Sequence, residues 1–151
     1  MTIPLPCVQH YTNHAHKPAP VGSVKLDYEA RFIRRKVLEL TDGRSILVDL
    51  PQTTSLNHGG VLVLENGDEI AVLAAVESLL EVTADDLVRV AWHVGNRHTP
   101  CQIEANRLVI QRDHVIRDML DKIGAHTREI TEAFTPEGGA YGHGRTHSHA
   151  H

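Results

Sequence analysis

Two turn sequences constrain the fold of this chain more than any other feature. Asp42-Gly43 and Asn66-Gly67 each lie between apolar segments, which is the strongest short-range signal for a β-hairpin. Pro51 is expected to end the second strand of the first hairpin, because proline lacks the N–H group that a central strand needs. Together with the alternating pattern of residues 24–28, these signals predict a small, mainly antiparallel β domain over residues 23–76. No nucleophile–base pair is evident there, so we interpret it as a domain that contacts a partner or peptide.

Residues 77–134 combine strand and helix patterns. Residues 79–83 indicate a strand, and Thr83 followed three positions later by Asp86 has the capping-box spacing, which places a helix start near Ala84. This helix is expected to end at Gly95-Asn96, because both residue types accept a left-handed turn. Its core-facing stripe is predicted from the helical spacing of Leu87, Val90, Ala91 and Val94.

A second helix follows two short strands, which are predicted around a tight turn in residues 101–111. Asp113 is a good N-cap for this helix, and Gly124 is a good helix end. The buried face is predicted to consist of Val115, Ile116, Met119, Leu120 and Ile123. A last strand is expected over residues 127–134. The order βαββαβ is that of a ferredoxin-like domain, so the predicted class is α+β, an all-β domain followed by a ferredoxin-like one.

Val88 and Trp92 form a second apolar strip on the first helix, four residues apart and beside the core-facing stripe. One interpretation is contact with another surface, such as a second protomer. The other is that the strip only widens the core face. The sequence leaves both interpretations open.

Residues 1–22 carry four of the seven prolines and show no periodicity, which predicts an irregular or mobile N-terminal arm. The arm contains four side chains that are able to bind a soft or borderline cation, Cys7, His10, His14 and His16. No standard ligand spacing matches them, so incidental histidines in a disordered arm are the favoured interpretation.

Histidine is the compositional outlier, with 12 among 151 residues. Three of them, His93, His98 and His114, lie close together in sequence among helix-ending and strand-forming signals. Neutral imidazole is the commonest metal ligand in proteins. His98 follows the helix end in a polar segment, and His114 lies in the first turn of the second helix, where the helix dipole disfavours the imidazolium form. Singly each is typical of a surface histidine, but together they indicate a metal site.

The C-terminal tail, residues 135–151, is rich in glycine and histidine and cannot bury a core, so it is predicted to be flexible. Its histidines are of a metal-binding composition: His143, His147, His149 and His151. Such a tail binds Ni, Cu or Zn with little selectivity. A purification tag is the plain alternative, although this run is interrupted by other residues.

Charge and hydropathy exclude several functional classes. The formal net charge of −4 and the aromatic content of 4% argue against nucleic-acid binding. The longest apolar run, residues 70–76, is far shorter than the roughly 20 residues that span a bilayer. No signal peptide or C-x-x-C motif is evident, and Cys101 is expected to face the core. We therefore expect a soluble cytoplasmic protein.

The run W-H-V-G-N-R-H-T-P-C-Q-I resembles the signature of the UreE family, urease accessory proteins that act as nickel metallochaperones. The resemblance continues through R-D-H-V-I-R-D-M-L, T-P-E-G-G-A-Y and the hairpin sequences of the first half. It covers about residues 23–142. The N-terminal arm has no recognised counterpart.

The resemblance implies a β domain followed by a ferredoxin-like metal domain, in a homodimer that forms a dimer of dimers on metal binding. It implies that His98 of both chains meets at one Ni(II), with His93 matching a second family histidine. The implied partners are the urease apoprotein and its accessory proteins, including the GTPase. Where relatives carry H-x-H, this chain has R-D-H, so Arg112 replaces one ligand and His114 is kept.

The leading hypothesis is thus a non-enzymatic nickel metallochaperone that delivers Ni(II) during urease maturation, and that also binds Zn(II) or Cu(II) in vitro. The alternative is a general Ni, Zn or Cu buffer without a specific acceptor. A metal-dependent hydrolase is disfavoured, because H-E-x-x-H is absent and no carboxylate flanks His93 and His98 closely.

Overall fold

The structure, a computed structural model, describes residues 5–138 and comprises two compact units, one up to Ala75 and one from Val76 onward. The first unit contains a short 3-10 helix, Glu29–Arg31, and six strands: β1 (Cys7–Thr12), β2 (Gly22–Leu26), β3 (Phe32–Glu39), β4 (Ser45–Ser55), β5 (Val61–Leu64) and β6 (Glu69–Ala74).

The six strands form one sheet in the order β2-β6-β5-β1-β4-β3. Two of the five neighbouring pairs, β1–β4 and β2–β6, are parallel, so the sheet is mixed. Both predicted hairpins are confirmed: β3 pairs with β4 and β5 with β6, each antiparallel. Gly43 and Gly67 have φ values of 93° and 90°, a left-handed conformation that favours glycine.

The prediction that Pro51 ends a strand is wrong, because β4 continues through Pro51 to Ser55. The reason lies in the pairing with β3. Its register shifts after the pair Arg35–Asp49 and resumes at Ile33–Thr54, so Pro51 falls within the irregularity. A proline is tolerated at such a bulge, where no ladder hydrogen bond is lost.

The prediction of an irregular arm over residues 1–22 is wrong for residues 7–12. These residues form β1 inside the sheet, between parallel β4 and antiparallel β5, and Val8 is fully buried. The run is short and mixed in polarity, so only its pairing with two distant segments makes it a strand. The segment after β1 is also held in place, because the buried carboxylate of Glu69 accepts hydrogen bonds from the backbone N atoms of His16 and Lys17.

The second unit alternates strands and helices: β7 (Val76–Thr83), α1 (Leu87–Asn96), β8 (Cys101–Ile103), β9 (Leu108–Gln111), α2 (His114–Lys122) and β10 (His126–Ala133). Its four strands form an antiparallel sheet in the order β10-β7-β9-β8. A core cluster joins sheet residues such as Leu80 and Ile110 to helix residues such as Val94 and Leu120. No helix within residues 5–138 is long and apolar enough to cross a membrane.

Helix α1 begins three residues later than expected. Asp86 is its N-cap, and Asp86 Oδ1 accepts a hydrogen bond from the backbone N of Arg89 at 3.1 Å. Thr83 is instead the last residue of β7, so the capping-box interpretation is wrong. The left-handed residue after the helix is also not Gly95 or Asn96 but His98, with φ 57°.

Helix α2 has the predicted ends but a narrower buried face. Asp113 Oδ1 accepts hydrogen bonds from the backbone N atoms of residues 115 and 116, at 2.8 and 3.2 Å, and Gly124 has φ 85°. Ile116 and Leu120 are buried, but Val115 is 49% exposed and Ile123 38% exposed. The helix has only nine residues and one sheet beneath it, so the outer residues of the apolar face remain in contact with solvent.

Candidate metal centre

His98 lies directly after α1 in a segment that fixes its backbone. The backbone N of Arg97 donates to the carbonyl of Val94 at 3.1 Å, and the backbone N of His98 donates to the carbonyl of Gly95 at 3.0 Å. The left-handed conformation costs a non-glycine residue roughly 1–2 kcal/mol. Non-glycine residues in this conformation concentrate at functional sites, because surrounding structure must hold them there. The half-buried His98 therefore has a defined position rather than that of a loose loop residue.

His98 lines a groove of about 660 Å³ that lies between the end of α1 and the start of α2. Its walls combine polar, cationic and apolar side chains: Asn96, Arg97, His98, Thr99, Pro100, Gln111, Arg112, Asp113, Val115 and Ile116. Asp113 is the one carboxylate among these lining residues, and its Oδ1 already caps α2. The groove thus combines one imidazole with two guanidinium groups.

Arg112 is held firmly in the wall of this groove. Its Nε donates to the carbonyl of Leu79 at 3.1 Å, and one terminal N donates to the carbonyl of Ile130 at 3.0 Å. Glu129 lies 3.7 Å from the other terminal N. Arg112 therefore connects the end of β9 to β7 and β10. A charged guanidinium group has no free lone pair to offer, so Arg112 is not a metal ligand.

The other two predicted histidines are placed differently. His93 is half-buried in α1, and its ring meets that of Trp92 edge to face, with 5.1 Å between centroids. His114 is exposed at the first position of α2. Neither belongs to the lining of the His98 groove. Within residues 5–138, no group of three His, Cys, Asp or Glu side chains is arranged to hold a metal ion.

Some of the remaining candidate ligands lie within residues 5–138, which the structure describes, and the others lie outside this range. His10, His14 and His16 are exposed in the first unit, and Cys7 is half-buried in β1. The tail histidines lie outside the described residues: His143, His147, His149 and His151.

Cys101 packs against the core of the second unit, as expected. Burial raises the pKa of its thiol to about 11, and the nearby negative charge of Glu137 acts in the same direction. The thiolate is the form that binds metals, so Cys101 is a poor ligand near neutral pH.

The apolar strip on α1 is exposed. Val88 is 84% exposed and Trp92 64% exposed. The interpretation that these residues only widen the core face is therefore wrong. Large exposed apolar side chains that lie side by side are typical of an interaction surface.

Sequence reasoning missed two features of the groove. One is the left-handed backbone of His98, which the preceding Gly95-Asn96 obscured because those residue types more often take that role. The other is the presence of Arg97 and Arg112 beside the imidazole. Arg112 was evident only as a departure from H-x-H. Its structural contacts lie on strands 18 and 33 residues away in sequence.

Comparison with known proteins gives a consistent result over nearly all of the chain. The model for the UreE urease accessory protein N-terminal domain matches residues 7–75, and that for the C-terminal domain matches residues 77–151. A protein of Ruegeria sp. (strain TM1040) named urease accessory protein UreE is 65% identical over 97% of this chain and 84% of its own length. Proteins of the same name are 58% identical in Ruegeria pomeroyi, over 97% of this chain and 99% of the relative, and 47% identical in Paracoccus denitrificans, over 94% and 90%.

Proposed function

The chain belongs to the UreE family of urease accessory proteins, and from this premise we propose that it is a nickel metallochaperone. In this proposal it binds Ni(II) at His98 and passes it to the urease apoprotein and its accessory proteins, including the GTPase. Nickel is the cargo, and no bond of a substrate is made or broken. The observation that carries the proposal is the placement of His98, which is fixed in a left-handed backbone at the wall of a groove.

The proposed site is shared between two chains. A nickel site needs several ligands, and His98 alone lines the groove as an imidazole. A two-fold contact presents the same residue twice, so a homodimer would supply two imidazoles from one sequence position. The exposed Val88 and Trp92 lie on α1, the helix that leads to His98, and they provide an apolar surface for such a contact.

The proposed mechanism is capture, placement and ligand exchange. We assign capture to the tail, through His143, His147, His149 and His151, because spaced imidazoles bind Ni(II), Zn(II) or Cu(II) with little selectivity. His93 and His114 are assigned secondary roles near the central site. An incomplete ligand set leaves coordination positions to solvent, so an acceptor is able to bind the ion before His98 releases it.

Two further parts of the proposal concern fold and location. The sheet order β10-β7-β9-β8 with two helices supports assignment of the second unit to the ferredoxin-like class. Both cysteines are free thiols, which supports a reducing compartment, and we assign the protein to the cytoplasm.

The test is nickel titration by calorimetry, with native mass measurement of the assembly, on the intact protein and on His98→Ala. The expected result is a tight site that holds one ion per two chains and is lost in the variant. His126→Ala is the matched control, because His126 is an exposed histidine of the same unit outside the groove. A third variant with alanine at all four tail histidines should keep the tight site and lose the nickel ions that are bound more weakly. A tight site that survives His98→Ala would overturn the proposal.

The histidine-rich tail favours a second candidate, a general metal buffer without a specific acceptor. The two candidates differ in the fate of the ion. A chaperone should transfer nickel to the urease apoprotein complex faster than the ion dissociates into solution. A buffer should release it at the dissociation rate whether or not that complex is present.

A further inference from the structure

The groove beside His98 is unexpectedly cationic for a place that binds a metal cation. Arg97 and Arg112 line it, and both guanidinium groups are charged at any physiological pH. The N-terminal end of α2, which carries a partial positive charge, lies at the same groove. Asp113 is the one lining carboxylate, so the lining side chains carry two positive charges and one negative charge.

The two arginines differ in how firmly they are held. Arg112 is fixed by the carbonyls of Leu79 and Ile130, and Glu129 partly offsets its charge. Arg97 is exposed, and within residues 5–138 its guanidinium has no hydrogen-bond or ion-pair partner. A fixed cation and an adjustable cation therefore flank the same imidazole.

This arrangement has a definite electrostatic consequence. Positive charge close to His98 weakens the binding of a bare cation, because like charges repel. The same charge attracts any anion that approaches the bound metal, because the positive charges of the lining outnumber the negative one. The exposed guanidinium of Arg97 is able to bind a carboxylate in a two-point geometry that orients it, whereas the nitrogens of Arg112 already face Leu79, Ile130 and Glu129.

We infer that this groove, defined by His98, Arg97 and Arg112, receives the anionic, carboxylate-bearing ligand that exchanges nickel with His98. The inference rests on the proposed function and names the chemistry of the exchange partner. A carboxylate oxygen bonds to Ni(II) while the metal is still held by His98. The bond from nickel to the imidazole nitrogen then breaks, and the imidazole leaves as a neutral base with its electron pair. The metal remains Ni(II) throughout.

The experiment measures the rate at which nickel leaves the full-length protein for two chelators of opposite charge. The anionic chelator is nitrilotriacetate and the cationic one is the polyamine triethylenetetramine, each at low and at high salt. The readout is the ratio of the two rates in wild type, Arg97→Gln and Arg97→Lys. Arg89→Gln is the matched control, an exposed arginine on the same helix that lines a different cavity.

We expect Arg97→Gln to lower the anionic-to-cationic rate ratio by roughly three- to tenfold at low salt, and by much less at high salt. Arg97→Lys should retain most of the ratio, and Arg89→Gln should leave it unchanged. If Arg97 only changes the affinity of the site, both rates will shift together and the ratio will stay constant, which overturns the inference. Loss of the tight site in His98→Ala tests the proposed function separately. If the tight site lies elsewhere, both proposals fail; if it lies at His98 and the ratio is constant, only this one fails.

Discussion

The two units differ in the placement of their polar side chains. In the first unit they complete the fold: Glu69 is 3% exposed and its carboxylate binds the backbone of the segment after β1, and His58 Nδ1 accepts a hydrogen bond from the backbone N of Ala74. In the second unit His98 occupies an unfavourable backbone conformation and Arg97 remains exposed. Arg107 and Arg112 hold strands together in the second unit as well, so the contrast lies at His98, whose backbone conformation costs roughly 1–2 kcal/mol.

The largest expected effect tests the structural use of charge in the first unit. Glu69→Ala should reduce the free energy of unfolding by about 3 kcal/mol, because hydrogen bonds to a charged group are lost and the backbone N atoms of His16 and Lys17 are left without their acceptor. Denaturant unfolding measures the change. Glu65→Ala, at an exposed position, is the control and should change stability by less than about 0.5 kcal/mol. Similar losses of stability in Glu69→Ala and Glu65→Ala would show that the buried carboxylate of Glu69 has no special structural role.

Substitution of one glycine by alanine in each unit should change the stability of the protein in opposite directions. A Cβ at Gly60 would lie 2.3 Å from Tyr11 Oη, which accepts a hydrogen bond from Asn57 N and donates one to Asn13 Oδ1. Gly60→Ala should therefore destabilise by about 2 kcal/mol. A Cβ at Gly95, in α1, meets nothing within 4 Å, so Gly95→Ala should stabilise by about 0.5–1 kcal/mol through helix propensity.

Thermal and denaturant unfolding measure the change in stability of both glycine variants, with a decrease expected for Gly60→Ala and an increase for Gly95→Ala. A destabilising Gly95→Ala would show that the end of α1 is more crowded than the structure indicates.

Two substitutions of His98 should have the same effect on metal binding but different effects on stability. His98→Gly and His98→Ala remove the same imidazole, but only glycine relieves the left-handed backbone at φ 57°. We expect the glycine variant to be more stable than the alanine variant by about 1 kcal/mol, with the tight nickel site absent from both. Equal stabilities would show that the backbone conformation at this residue carries no strain.

The smallest effect concerns the charged network on the sheet of the second unit, where Arg107 binds the carboxylates of Glu81, Glu104 and Glu132. Hydrogen bonds from Arg107 hold the pKa values of Glu104 and Glu132 below the usual range, and Arg128 and Arg107 together do so for Glu81. A lowered pKa in the folded state stabilises the protein above the ordinary glutamate pKa, and this contribution is lost as the pH falls through the folded-state pKa.

Arg107→Gln should therefore be less stable than wild type near pH 7, and the difference should shrink as the pH falls below 4.5, the ordinary value for glutamate. Unfolding midpoints measured from pH 7 to pH 3 test this trend. Arg34→Gln, at an exposed position of β3, serves as the control. A difference that is constant with pH would mean that the network contributes through packing alone.

Features that depend on a few adjacent residues could be predicted from the sequence. The turns at Gly43 and Gly67, the Asp113 cap and the end of α2 at Gly124 each depend on the conformational preference of one or two residues. Family membership could also be predicted, because a motif is a local string of residues. His98 was selected as a candidate from its position after a helix end among neighbouring histidines, and the motif then pointed to the same residue.

Features that depend on distant segments could not be predicted. Residues 7–12 become a strand only because β4 and β5 pair with them, and Pro51 continues a strand only because the register of β3 shifts beside it. The start of α1 was placed three residues early because Thr83 and Asp86 have the capping-box spacing, whereas in the structure Thr83 ends β7 and Asp86 itself is the N-cap.

The sequence by itself determined the hairpins, the order of helices and strands in the second half, the helix caps of α2 and the histidine that the proposed site requires. The tertiary structure alone decided that β1 lies inside the sheet, that His98 is left-handed, that Val115 is exposed and that Arg97 and Arg112 share a groove with the imidazole. The physical reason is the range of the interactions. Turn and cap preferences act between neighbouring residues, whereas strand pairing, burial and the composition of a groove depend on which remote segments are brought into contact.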